Sequence, residues 1–129
     1  MSVGLLIITH NLLGEDLLST ARNMLGRCPL KTRTLAISLN CDPERQHQRA
    51  QEYCQEVDEG DGVLVLTDMF GSTPSNIASR LCNENVRVIA GLSLPMLVRI
   101  FNYPDLDLDA LAAKAISGGH DGVVICSQT

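Results

Sequence analysis

Residues 3–9 and 63–68, VGLLIIT and VLVLTD, are apolar without alternation. A strand with one wet face alternates apolar and polar side chains, whereas a run that does not alternate is buried on both faces, as in a parallel sheet. Parallel neighbours cannot be joined by a hairpin, so crossover helices have to lie between them. The intervening segments meet that requirement. Over 14–25, Leu17, Leu18, Ala21, Met24 and Leu25 recur at helical spacing, and Gly26 stands just past the end. Residues 32–39 read as a second strand. Asp42-Pro43-Glu44 is a helix start, with a capping carboxylate, Pro at the first helical position and an acid in the first turn. Ala50, Tyr53, Cys54 and Val57 give that helix one apolar stripe, with His47 among Gln and Arg on a solvated face.

Gly60-Asp61-Gly62 turns the chain into 63–68. Thr73 caps a third helix, with Pro74 at its first position and Ile77, Ala78 and Leu81 inward. Residues 86–91 form a fourth strand. One helix opens at Pro95 and runs to about Phe101; another starts near Asp107 or Asp109 and ends at Gly118-Gly119, with His120 in the turn beyond. Residues 122–127 read as a short final strand of undetermined direction. The expected fold is an α/β sandwich with a mainly parallel sheet, a single domain over 1–129.

Hydrophobic residues make up 45% of the chain, enough for a core, but aromatics only 3%, with no Trp, so the core is aliphatic. The net charge is −5 and Lys/Arg clusters are lacking. These features argue against base-stacking surfaces and against a nucleic-acid partner. Five Cys with no CxxC exclude a disulfide framework and a structural zinc site, and metal binding by His47 and Cys54 is not expected. No apolar run reaches the ~20 residues that span a membrane, and Met1 leads directly into the first strand without a leader pattern. The expectation is a cytoplasmic protein with no direct membrane insertion.

Ligands in open α/β sheets bind beyond the carboxyl ends of the strands. Three such exits carry unusual residues: Thr9-His10-Asn11, Thr67 through Pro74, and Gly91 through Met96. If the strand order is 2-1-3-4, His10 and Asp68 stand side by side on one edge. A carboxylate beside an imidazole fixes its tautomer and leaves the other ring nitrogen free as a nucleophile. Small residues at Gly71, Ser72 and Thr73 let backbone N–H groups approach an anion at the start of the next helix. Each part also has a plainer reading: His10 as a polar loop residue, Asp68 as a cap, Thr73 and Pro74 as ordinary helix initiation, Met69-Phe70 as a loop anchor in place of a docking surface.

The segments VGLLIITHNLLGEDLLSTARNMLG, GVLVLTDMFGSTPSNIASR and VIAGLSLPML, in this order and spacing, resemble the mannose-family IIA component of the bacterial sugar phosphotransferase system. The resemblance implies a phosphocarrier that takes a phosphoryl group from the phosphocarrier HPr onto His10 and passes it to a histidine of a IIB component. It implies that Asp68, in TDMFGSTP, hydrogen-bonds one imidazole nitrogen while Nε2 carries the phosphoryl group. Gly71, Ser72 and Thr73 would hold the phosphoryl oxygens, with Thr9, Asn11 and Ser93 in support, and neither metal nor other cofactor is implied. The implied fold is a three-layer sandwich with a parallel 2-1-3-4 sheet and a C-terminal antiparallel edge strand, 122–127, exchanged in a homodimer. Asn11, Ser72 and Ser93 depart from the family pattern, which commonly has Gly, Gly and Asn there. Asn11 tolerates a left-handed backbone, and Ser72 offers an added hydroxyl donor if its dihedrals stay negative. The alternatives are a regulatory module switched by phosphorylation of His10 and a flavodoxin- or receiver-like domain; IITHN lacks the clustered acids of a receiver, and a flavin site wants more aromatics.

Overall fold

The computed structural model describes residues 2–127. In chain order the elements are β1 Gly4–His10, α1 Leu13–Leu25, β2 Thr32–Ile37, α2 Pro43–Val57, β3 Val63–Thr67, α3 Thr73–Ser79, β4 Val86–Ala90, α4 Leu94–Phe101 and α5 Leu108–Asp121. The four strands are parallel in the order β2-β1-β3-β4.

The unalternating strands sit where their composition requires. Leu5, Ile7, Leu64 and Leu66 point into one core with Leu18 and Ala21 of α1, Leu97 and Ile100 of α4, and Leu111 and Ala115 of α5. Leu6, Ile8, Val63 and Val65 point into the other with Ala50 and Val57 of α2 and Ile77 and Ala78 of α3. Helices on both faces make three layers. Burying both faces of β1 removes side chains such as Leu5, Leu6, Ile7 and Ile8 entirely from water, at about 1.5–3 kcal/mol each.

Several local expectations change. The third helix is capped by Ser72, whose hydroxyl accepts the Ser75 N–H at 3.4 Å; Thr73 is its first residue. α4 likewise begins one residue before Pro95, with Ser93 as cap. Asp107 caps α5 by accepting the Ala110 N–H at 2.9 Å. α5 does not stop at Gly118-Gly119 but continues to Asp121. Those glycines serve packing: a Cβ on Gly118 would lie 2.5 Å from the Arg99 Cβ and one on Gly119 3.0 Å from the Met96 side chain. His47 is buried, not solvated. Positions 47, 50, 54 and 57 share one helix face, so His47 extends the apolar stripe by a turn.

Residues 122–127 join no sheet among the described residues; they follow α5, exposed and without strand pairing. β2 and β4 are the two edges of the sheet.

Candidate functional site

Register places the ends of three strands together. His10 is level with Ile37 of β2, and Ile8 with Thr67 of β3, so Asp68 leaves the sheet beside the end of β1. One Asp68 oxygen, Oδ2, accepts both the His10 N–H at 3.0 Å and the ring Nδ1–H at 2.8 Å. The other, Oδ1, accepts the Met69 N–H at 3.0 Å. Burial raises the Asp68 pKa, but the ring and amide of His10 and its own backbone outweigh that and hold the carboxyl below its ordinary value. The His10 side chain is 47% exposed against 11% for Asp68. The acid is seated and the imidazole is presented. With Nδ1 committed as a donor, Nε2 is the ring nitrogen with a free lone pair, and it has no hydrogen-bond partner among the described residues.

The loop behind His10 is held on both sides. The Thr9 hydroxyl accepts the Gly14 N–H at 2.8 Å, which ties the end of β1 to the first turn of α1. Asn11 adopts φ 48°, the left-handed conformation its short polar side chain tolerates, and its N–H donates to the Ile37 carbonyl at 3.0 Å. Both residues shape the loop that carries the ring.

The turn after Asp68 is internally bonded. Gly71, at φ 85°, donates its N–H to the Ser75 hydroxyl at 3.2 Å, and the Ser72 N–H goes to the Met69 carbonyl at 3.3 Å. Ser72 has φ −88°, and its hydroxyl donates to the same carbonyl at 2.6 Å. Of the three amides expected to face an anion, only that of Thr73 has no partner among the described residues. Ser93 makes no hydrogen bond to loop one among the described residues; its hydroxyl accepts the Met96 N–H at 3.3 Å as the cap of α4.

A cleft of about 250 Å³ opens at this edge. His10 and Asn11 line it, with Thr73 and Pro74 on one side and Ser38 and Leu39 of the β2 exit on the other; no Lys or Arg does. Sequence reasoning considered the exits of the first, third and fourth strands and missed Ser38. The signal was available in the order 2-1-3-4, which puts the second strand's exit next to His10. Met69 and Phe70 are 60% and 84% exposed, so they do not anchor the turn in the core. A larger groove of about 380 Å³ lies at the C-terminal ends of α2 and α3, lined among others by Gln51, Cys54, Arg80 and Cys82, with neither imidazole nor carboxylate. Among the described residues no cluster of His, Cys, Asp or Glu is arranged to hold a metal, and no helix is long and apolar enough to cross a membrane.

Residues 4–116 match the family model described as the PTS system fructose IIA component, EIIA-man. The chain belongs to this family. Over 127 residues, 95% of its length, this IIA chain is 33% identical to the mannose-specific EIIAB component of Escherichia coli K12, and it spans 39% of that protein. It is 30% identical over 84% of its length to a segment making up 12% of the Bacillus subtilis transcriptional regulatory protein LevR. Among solved structures, the mannose/sorbose-specific IIA subunit from Enterococcus faecalis superposes with a TM-score of 0.88 at 23% identity, covering 100% of this chain and 98% of that one. The four-stranded α/β fold is therefore that of IIA components of the sugar phosphotransferase system.

Proposed function

We propose that His10 is the residue on which this IIA component is phosphorylated, and that it takes the phosphoryl group from phospho-HPr and passes it to a IIB component. The supporting observation is the 2.8 Å hydrogen bond from Nδ1 to Asp68, which leaves Nε2 with the lone pair. In the transfer, that lone pair forms the new P–N bond. The donor's bond to phosphorus breaks, and its electron pair leaves with the donor. The ring, still protonated on Nδ1, becomes cationic, and the Asp68 carboxylate stabilises that charge. Deprotonated Asp68 is the competent form, and its depressed pKa keeps it so at neutral pH. Onward transfer reverses the same steps.

The carrier works in the cytoplasm as a homodimer in this reading. β4 is an open sheet edge, and 122–127 supplies Val123, Val124 and Ile125, β-branched and exposed. An edge strand and an unpaired apolar segment on the same chain are mutual partners across two copies.

Incubation with radiolabelled phospho-HPr tests the site. The wild type takes up acid-labile label that a IIB component then removes, and His10→Ala takes up none. Label retained in His10→Ala overturns the assignment. Label at His10 that no IIB component accepts favours the regulatory switch, the reading to which the LevR similarity lends support.

A further inference from the structure

We propose that Ser38 is a phosphoryl-binding residue, donating its hydroxyl to the group carried on His10; the inference rests on the phosphohistidine reading above. A phosphoryl group brings nearly two negative charges and three strong acceptor oxygens. No Lys or Arg lines the cleft, so neutral donors must meet that demand. Most of the neighbouring donors are already spent within the protein. The amides of Gly71 and Ser72 are bonded inside the turn, the Ser72 hydroxyl proton goes to the Met69 carbonyl, and the Thr9 hydroxyl donates to the His10 carbonyl at 3.3 Å.

What remains in the cleft is Thr73, the Asn11 side chain and Ser38. Since β1 lies between β2 and β3, Ser38 and Thr73 flank His10 from opposite sides. The Ser38 backbone is fixed on both sides, by Asn11 N–H to the Ile37 carbonyl at 3.0 Å and Cys41 N–H to the Ser38 carbonyl at 3.2 Å. Its hydroxyl makes no hydrogen bond among the described residues and stands ready to donate. A hydrogen bond to a charged acceptor is about twice as strong as a neutral one, so its loss should be read clearly in the phosphorylated state and hardly at all in the free protein.

The experiment measures the equilibrium constant for phosphoryl exchange between HPr and this chain by 31P NMR, with thermal unfolding of each unphosphorylated variant alongside. Ser38→Ala is expected to lower the constant by roughly tenfold, with label still on His10 and the unfolding temperature unchanged. Ser38→Thr, which keeps the hydroxyl, is expected to retain the wild-type constant. A constant within twofold of wild type for Ser38→Ala overturns the proposal, as does a loss shared equally by Ser38→Thr. A wild type that takes no phosphoryl group on His10 instead overturns the underlying reading and this inference with it.

Discussion

Asp68 grips His10 twice through one oxygen and its own neighbour Met69 through the other. Replacing it with Asn keeps the shape but not the charge that the ring needs when it turns cationic. Asp68→Asn is expected to slow phosphoryl uptake by roughly a hundredfold or more, in the range of a lost acid–base partner, measured as the rate of labelling by phospho-HPr. The same residue sets a pH dependence. Its folded pKa lies below the ordinary 3.8, so its contribution to stability is complete above that value and is lost as pH falls through the lower folded value. The stability gap between wild type and Asp68→Asn in urea melts should be constant near neutrality and close in acid; a gap that widens in acid contradicts the hydrogen-bond assignment. His10 and Asp68 were legible because each follows an apolar strand that fixes where it emerges. The commitment of the Ser72 hydroxyl was not, because it depends on how the turn folds back on the Met69 carbonyl.

At the scale of elements, β1 starts where its neighbours leave no room for a side chain. A Cβ on Gly4 would run into the backbone carbonyl of Val57 and lie 2.9 Å from its Cγ2, where α2 ends against the first residue of the strand. Gly4→Ala is expected to destabilise the fold by about 1–3 kcal/mol, the usual cost of overpacking, seen as a lower urea midpoint with an unchanged slope. Strands β1 and β3 were readable because lack of alternation has one physical meaning, burial on both faces. Helix ends were less so. Gly118-Gly119 looked like a stop, since glycine commonly follows a helix, yet glycine is equally the residue for close helix packing, and contact with Arg99 and Met96 decides between the two. His47 looked solvated from its polar neighbours along the chain, but burial follows the helix face and not the adjacent residues.

For the whole molecule, the proposed homodimer rests on the edge strand β4 and the exposed 122–127 segment. A chain truncated after Gly122, or one carrying Val124→Lys and Ile125→Lys, is expected to run at the monomer mass in light scattering, while the full chain runs at twice that mass. A full chain at monomer mass contradicts the exchanged dimer. The layer order followed from the sequence because helices alternate with doubly buried strands; the fate of 122–127 did not, because those residues pair with no strand of the sheet the other elements build. The cleft beside His10, lined by hydroxyls and an amide and by no cation, has a further consequence. A guanidinium or ammonium clasp would sink its cargo into a deep well and make handing it on uphill. In the relay proposed above, neutral donors around the phosphoryl oxygens keep each hop close to isoenergetic, and the direction of traffic is set by the supply of donors and the emptiness of acceptors.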